Sequence, residues 1–273
     1  MSTNQGELSS RQHRQKRDPL KRLISKNAKT RARALQSLAE TNHPGPIQQA
    51  VSMLSDRSSL VRVTAVEIIG ELGNRVHAGH LIDVLTDANA EVRMRAAEAI
   101  GGLLKNDRCP SALVKLLRDP DELVRVAAAE SLETIGDRCA LRALLRALKD
   151  TSPLVRGYAA DAIGQVGTRK NLPALKAALE RETSDISKVG LDRALYQLGE
   201  HKVLNDLLIL LSESPDYRAR CAAANSLSRT PLTPSDRAIA LRHLQETLRN
   251  EPTAAVKSSI QSTVRFLRTC ASS

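Results

Sequence analysis

Residues 119–136, DPDELVRVAAAESLETIG, decide the fold, because three other stretches of the chain share their pattern. Each stretch has Asp, then Val-Arg five and six residues later, a run of small residues, and Leu or Ile seven residues past the Arg. The stretches begin at Asp56, Asp87, Asp119 and Asp150. The arginines recur at intervals of 31, 32 and 31 residues, at Arg62, Arg93, Arg125 and Arg156. A period near 31 residues indicates a repeat protein, in which each repeat buries its apolar face only against its neighbours.

The same frame extends beyond these four repeats. The position of the recurring arginine is occupied by a basic residue once before these repeats and three times after them, at Arg31, Lys188, Arg220 and Lys257. The last interval is 37 residues, which predicts an insertion in residues 230–235. Eight repeats result, and the first and the last three are degenerate, as terminal repeats usually are.

Each repeat has the pattern of two helices joined by a turn. In residues 111–119 and 140–150, Leu recurs at helical spacing, which predicts a short first helix with one apolar face. The second helix, such as residues 124–135, carries a row of alanines against which a neighbouring helix can pack closely. Glycines that allow a left-handed C-terminal residue are predicted to end the second helices: Gly73, Gly101, Gly136, Gly167 and Gly199.

Composition excludes several classes of protein. Aromatic residues make up 1% of the 273 residues and Trp is absent, so the core is built from Leu, Ala, Val and Ile, which argues against β-sandwiches and barrels. The sequence has no run of eighteen apolar residues, so we expect no membrane span. It also has no apolar segment near Met1, so we expect no secretory signal. Four well-separated cysteines without a CxxC pair favour reduced thiols, so we expect a cytoplasmic protein.

The net charge of +11 is concentrated at the two ends of the chain. Residues 1–33 have a net charge of +8, residues 34–217 of −3, and residues 218–273 of +6. We predict that residues 1–17 form a disordered basic arm and that residues 18–270 form the repeat domain. The arm and the residues beside it are candidates for weak, salt-sensitive binding of nucleic acid or another anionic surface: Arg11, Arg14, Lys16, Arg17, Lys21 and Arg22. The alternative is a solvated terminus with no ligand.

The Asp, Val-Arg and small-residue signature of residues 119–136 resembles the HEAT repeat, and most of all the short bacterial repeats of the phycobilisome-lyase type. This resemblance extends over about residues 18–270. It implies an all-α fold, an α-solenoid of about eight HEAT-like helix pairs wound into a right-handed superhelix. Proteins of this type include scaffolds, adaptors, chromophore lyase subunits and, in a divergent branch, alkylpurine DNA glycosylases, so the fold alone does not choose a function.

Two periodic sets of residues accompany the signature. We interpret the Asp and Arg of each repeat as a structural ladder that ties one inter-helix turn to the next: Asp56, Arg62, Asp87, Arg93, Asp119, Arg125, Asp150 and Arg156. Five residues after the ladder position lies a mainly acidic row, which we expect to line a groove of mixed charge: Glu67, Glu98, Glu130, Asp161 and Asn225.

Further arginines occur in the turns between repeats, where they form a candidate partner-binding rim: Arg75, Arg108, Arg138 and Arg169. The alternative is that they are solvated turn residues that contribute little. His77, His80 and Asp83 have helical spacing on one face, but two histidines and one carboxylate are a weak metal pattern, and we expect no metal or cofactor. Cys109 and Cys139 occupy equivalent positions and are interpreted as small apolar residues.

From these observations we predict a non-enzymatic scaffold or adaptor that binds another cytoplasmic bacterial protein, with an acidic protein as one option, through the groove or the rim. The alternative is a phycobilin lyase subunit or a phycobiliprotein chaperone. The scarcity of aromatic residues argues against a tetrapyrrole site, because such pockets are usually lined by aromatic and apolar side chains. A HEAT-like DNA glycosylase or nucleic-acid binder is a weaker alternative, since the three tyrosines lie in separate repeats.

Overall fold

The computed structural model describes residues 18–41 and 45–269. Within these ranges all regular structure is helical, which confirms the all-α prediction. The α-helices, in chain order, are α1 (Pro19–Arg22), α2 (Ala28–Glu40), α3 (Pro46–Met53), α4 (Ser59–Leu72), α5 (Ala78–Ile82), α6 (Ala90–Leu103), α7 (Ser111–Lys115), α8 (Glu122–Ile135), α9 (Leu141–Ala147), α10 (Pro153–Val166), α11 (Leu172–Leu179), α12 (Asp185–Gln197), α13 (Leu204–Glu213), α14 (Tyr217–Arg229), α15 (Pro234–Asn250) and α16 (Ala254–Thr269).

These helices form eight consecutive pairs, so the predicted α-solenoid of helix pairs is confirmed for the part of the chain that the structure describes. Odd-numbered helices are the first and even-numbered helices the second members of the pairs. Several first helices are extended by a short 3-10 turn, at Arg75–His77, Asp83–Thr86, Leu116–Arg118, Arg138–Ala140, Arg169–Asn171 and His201–Val203.

The chain divides into two compact units between Ser131 and Leu132, within α8. In the N-terminal unit, α4 packs against α2 and α6; in the C-terminal unit, α12 packs against α10 and α14, and α14 against α16. Consecutive second helices therefore stack on one another in each unit. Their contact faces carry small side chains: three alanines that lie three or four residues after the ladder arginine are fully buried, at Ala97, Ala128 and Ala160.

Four of the five predicted glycines follow the end of a second helix, and Gly101 does not. The left-handed geometry is present at two of these four positions. Gly136 and Gly199 are left-handed, with φ of +73° and +100°. Gly73 and Gly167 instead have φ of −77° and −79°, where any residue is allowed. Glycine is required at Gly73 for space, since a Cβ atom there would lie 2.2 Å from the carbonyl oxygen of Ile69.

Gly101 does not end a helix, because it lies inside α6. It is buried against Ser131, and a Cβ atom at Gly101 would lie 2.8 Å from the Ser131 Cβ. The hydroxyl of Ser131 donates a hydrogen bond to the carbonyl oxygen of Ala97 at 2.9 Å. The glycine therefore permits a close approach of α6 and α8.

The extra length of the last repeat lies mainly in a helix rather than in an inserted loop. α14 ends at Arg229 and α15 begins at Pro234, which leaves a connection of ordinary length. α15 itself has 17 residues, whereas α13, the first helix of the preceding repeat, has 10. The predicted insertion in residues 230–235 is therefore corrected to an elongated first helix. Thr233 caps this helix, with its hydroxyl accepting a hydrogen bond from the Asp236 amide at 3.1 Å.

Candidate functional site

Three ladder arginines of the N-terminal unit, Arg31, Arg62 and Arg93, each bind two turns. Arg62 donates from Nε and Nη2 to the two carboxylate oxygens of Asp87, at 2.6 and 2.7 Å, and from Nη1 to the carbonyl oxygen of Asp56 at 2.7 Å. Asp87 in turn accepts the amide of Asn89 at 2.8 Å, which fixes the turn before α6. The same bidentate geometry occurs in the pairs Arg31–Asp56 and Arg93–Asp119. Arg125 donates to the carbonyl oxygen of Asp119 at 2.9 Å.

In the C-terminal unit the acidic partner is glutamate. Arg156 forms two bonds of 2.7 Å with Glu182, and Arg220 forms two of 3.0 Å with Glu251. Lys188 reaches only Asp185 in its own helix, at 3.0 Å. We did not identify the two glutamates from the sequence. Spacing could have revealed Glu182, which follows Arg156 by 26 residues, as Asp119 follows Arg93.

These partners keep the ladder carboxylates ionised. The hydrogen bond from Arg31 holds the pKa of Asp56 below its ordinary value. Burial acts to raise the pKa of Glu182, but hydrogen bonds from Arg156, the Ser184 amide and Ser187 outweigh it and lower the pKa to about 2. The ladder thus consists of half-buried, charge-assisted contacts that repeat with the helix pairs.

The acidic row is accessible in the N-terminal unit. The side chains of Glu67 and Glu98 are each 42% exposed, and Arg95 lies between them at 3.6 and 3.1 Å. Glu130 is exposed on α8. This part of the second-helix surface therefore carries charges of both signs.

Asp161 differs from the rest of the row, because it belongs to a buried ion cluster. Arg193, the residue at the equivalent position of the next repeat, places Nη1 2.9 Å from Asp161 Oδ1 and donates from Nη2 to Glu133 at 2.7 Å. Arg229 donates from Nη2 to both oxygens of Glu133, at 2.9 and 2.8 Å. The cluster joins α8, α10, α12 and α14. Arg193 follows Lys188 by five residues and so occupies the row position of its repeat, although we did not predict it as a member of the row.

The cluster is strongly desolvated. The side chains of Arg193, Glu133 and Asp161 are 4%, 9% and 13% exposed. Burial raises the pKa of Asp161 to about 7, against the opposing effect of Arg193 and with a smaller contribution from Glu133. The two acids share Arg193, so removing that one cation would leave two carboxylates without their common partner.

An open depression of about 370 Å³ lies over α10, α12 and α14, and we call it the tyrosine–arginine pocket. Its apolar wall includes Tyr158, Ile186, Val189 and Tyr217. Its polar lining is Asp161, Arg218, Asn225, Ser226 and Arg229. Two of the three tyrosines thus meet at one site, although they lie in different repeats.

All four rim arginines are exposed in turns before first helices. In the N-terminal unit, Arg75 forms an ion pair with Asp107, while the side chain of Arg75 remains 75% exposed. In the C-terminal unit, Arg138 donates from Nε to the carbonyl oxygen of Val166 at 3.1 Å, at the C-terminal end of α10. The guanidinium of Arg169 lies against Gly199. The other rim arginine is Arg108.

Two of the six basic residues predicted to bind anions, Lys21 and Arg22, lie within the described residues, in α1. The other four lie outside them: Arg11, Arg14, Lys16 and Arg17. His77 accepts the Asn74 amide through Nδ1 at 3.1 Å and so caps a turn. The described residues contain no group of three or more His, Cys, Asp or Glu side chains suited to a metal ion.

The HEAT-repeat family profile matches three overlapping stretches, residues 18–101, 78–151 and 110–191. Together these stretches cover more than half of the chain, which therefore belongs to the HEAT-repeat family. A comparison with curated protein sequences finds no match.

Several solved structures share the fold. The CpcE–CpcF complex of phycocyanin lyase from Nostoc sp. PCC7120 is 22% identical with a TM-score of 0.59, over 81% of this chain and 94% of that chain. YibA from E. coli is 18% identical with a TM-score of 0.54, over 97% of both chains. A mutant of Kap121p is 14% identical with a TM-score of 0.61, over 93% of this chain and 35% of that chain. In the described part of the chain, the helices fall short of the length and apolar character that a membrane span needs.

Proposed function

We propose that the protein is a non-enzymatic scaffold or adaptor that binds a partner protein across the surface of its second helices. The observation that carries the proposal is the tyrosine–arginine pocket, where Tyr217 and Arg229 are about half exposed on one face. Tyrosine and arginine are the residues most enriched at the energetic centres of protein interfaces. Repeat proteins of this architecture bind partners through such extended surfaces.

Site-specific photo-crosslinking tests this proposal. A photoreactive phenylalanine analogue replaces Glu98 or Asn225, which are exposed on second helices, or Lys115 or Arg142, which are exposed on first helices. We expect both second-helix positions to crosslink one and the same protein in cells of the source organism, and the first-helix positions to crosslink it weakly. Crosslinks only from Lys115 and Arg142 would contradict the proposal.

The second candidate function is that of a phycobilin lyase subunit or a phycobiliprotein chaperone. It is favoured by the likeness to the CpcE–CpcF complex and by the meeting of Tyr158 and Tyr217 in one pocket. The test is incubation of the chain with a bilin and an apo-phycobiliprotein, followed by visible absorption of the separated proteins. Colour transferred to the acceptor in the presence of this chain would replace the scaffold proposal.

The rim and the arm are proposed as accessory elements. The exposed guanidinium groups of Arg75 and Arg108 suit contact with an acidic part of the partner. The net charge of +8 in residues 1–33 suits weak binding of an anionic polymer, because the attraction is electrostatic and independent of sequence. Binding measured across a salt series, for the full chain and for a chain that begins at Asp18, tests the role of the arm.

A further inference from the structure

We propose that the tyrosine–arginine pocket holds a short peptide segment of the partner in which an acidic residue lies beside a large apolar one. This inference rests on the proposed function, because it specifies which part of the partner reaches the second helices. The pocket has an apolar half and a cationic half, and it is open to solvent.

The apolar half is lined by residues of three helices. Gly157 and Gly190 allow α10 and α12 to approach closely, since a Cβ atom at Gly190 would lie 2.3 Å from the Gly157 carbonyl oxygen. Tyr158 on α10 and Tyr217, the first residue of α14, line the same pocket. A depression lined by two tyrosines suits an aromatic or large aliphatic side chain, which gains buried area against their rings.

The cationic half presents two guanidinium groups at the surface. The side chains of Arg218 and Arg229 are 74% and 46% exposed, whereas those of Glu133 and Asp161 are 9% and 13% exposed. Arg218 is paired with Asp216 at 3.3 Å through Nε. Among the described residues, Arg229 uses Nη2 for its bonds to Glu133, so its Nε and Nη1 remain for another acceptor. A ligand that approaches the pocket therefore meets N–H donors first, which favours a carboxylate.

The open form of the pocket favours a peptide over a free small molecule. A small-molecule site usually buries 70–90% of its ligand. Here Tyr217 is 49% exposed and the volume is about 370 Å³, so the pocket covers a few side chains and leaves the rest outside. A peptide segment compensates for this partial enclosure, because the protein that carries it makes further contacts along the second helices.

The absence of Trp from the chain allows a direct test, since indole fluorescence then reports only on the probe. The probes are the capped peptides Gly-Asp-Trp-Gly and Gly-Trp-Asp-Gly, the same peptides with Asn or Lys in place of Asp, and free indole-3-propionate. We expect at least one acidic peptide to bind the full chain tenfold or more tightly than its Asn and Lys counterparts. Arg229→Gln should remove this preference, and the matched variant Arg142→Gln on α9 should retain it.

Fluorine NMR of the chain labelled with 3-fluorotyrosine shows where the peptide binds. Three signals are expected, and the acidic peptide should shift those of Tyr158 and Tyr217. Tyr196, which is buried and donates its hydroxyl to Asp236 at 2.5 Å, serves as the internal reference. Circular dichroism of Arg229→Gln checks that the variant remains folded.

Three results would overturn the inference: no binding of any acidic peptide, equal binding of the Lys peptides, or equally tight binding of indole-3-propionate, which would indicate a small-molecule site. Any of these together with retained crosslinking from Glu98 and Asn225 would leave the proposed function in place. If the acidic peptides do not bind selectively and Glu98 and Asn225 also fail to crosslink a common protein, the peptide site and the scaffold proposal are refuted together.

Discussion

Arg229 at the end of α14 donates two hydrogen bonds to Glu133 in α8, although the two residues are 96 positions apart in the chain. The second helices α10 and α12 lie between them in sequence, and they supply Asp161 and Arg193 to the same cluster. Four consecutive second helices thus share one charge network. This network adjoins the tyrosine–arginine pocket, since Asp161 and Arg229 belong to both.

The first prediction concerns the central cation of this network. Arg193→Met leaves Asp161 buried without its cation and Glu133 with the half-exposed Arg229 alone. We expect a loss of about 3–5 kcal/mol in the free energy of unfolding, because removal of one partner from a buried ion cluster leaves uncompensated charge. Urea denaturation followed by circular dichroism measures the loss.

Arg229→Gln is the matched comparison for that prediction, since Glu133 then keeps its bond to Arg193. Its effect on unfolding should be clearly smaller than that of Arg193→Met. Equal stability of wild type and Arg193→Met would show that the cluster does not hold the second helices together.

The second prediction concerns Asp192, which is 2% exposed and whose Oδ1 lacks a hydrogen-bond partner in the described chain. Burial, with a smaller effect of the nearby Asp206, raises the pKa of Asp192 to about 8, against the opposing effect of Lys188. Because the folded-state pKa lies above the unfolded value near 4, ionisation favours unfolding, and this penalty grows as pH rises from about 4 to 8. We therefore expect Asp192→Asn to be more stable than wild type at pH 8, by an amount that shrinks toward pH 5.

Thermal unfolding of both proteins between pH 5 and 9 tests this dependence. The melting temperatures of the two proteins are compared at each pH, because other groups titrate in both proteins. A difference that does not change with pH would mean that Asp192 is ionised at an ordinary pKa in the folded protein.

The third prediction concerns acid stability through the ladder. Glu182 has a pKa of about 2 in the folded protein, below its ordinary value, so its contribution is complete above about pH 4.5 and is lost as pH falls toward 2. Glu182→Gln should cost about 2–4 kcal/mol at pH 7 and progressively less below pH 4. Denaturation at pH 7, 4 and 3 measures this trend, and an equal cost at all three values would rule out the charge-based explanation.

The fourth prediction tests the packing of the second helices. Ala128 is fully buried in α8, three residues after the ladder arginine Arg125. Ala128→Leu should overpack this face and reduce the free energy of unfolding by about 1–3 kcal/mol. Leu123→Ala, at an exposed position of the same helix, is the control and should have little effect on stability. Similar stabilities for wild type and Ala128→Leu would show that this face has room to adapt.

The repeat frame and the helix pairs could be predicted from the sequence because they depend on local pattern. The Asp and Arg spacing identifies both partners of the Arg62–Asp87 contact, since turn and helix recur with the same period. We did not include Arg193 in the acidic row, although it follows Lys188 by five residues. The repeat frame could not show that this arginine would reach Glu133 as well as Asp161, because that contact depends on the angles at which several helices stack.

The pocket could not be predicted for the same reason. Tyr158 and Tyr217 occupy different repeats and different heights along their helices, so periodicity alone does not bring them together. Gly101 serves close packing against Ser131 rather than the end of a helix. It lies eight residues after its ladder arginine, whereas Gly73 lies eleven residues after its own, so the repeat frame itself could have separated the two glycines.

The fifth prediction separates the two roles open to the rim. Arg108→Glu should weaken binding of an acidic partner at unchanged stability, because its side chain is exposed in a turn. Arg138→Glu should also lower the melting temperature, since Arg138 caps the carbonyl end of α10 through Val166. Partner affinity and melting temperature of both variants are measured together. Unchanged affinity in both variants would return the rim to the solvated-turn interpretation.

Hydrogen exchange of the chain with its crosslinked partner tests the central claim most directly. Once that partner is identified, amide protection is measured for the free chain and for the complex. The scaffold proposal predicts new protection in α10, α12 and α14 around the tyrosine–arginine pocket, with α9, α11 and α13 unchanged. Protection confined to those first helices, with no change around the pocket, would contradict it.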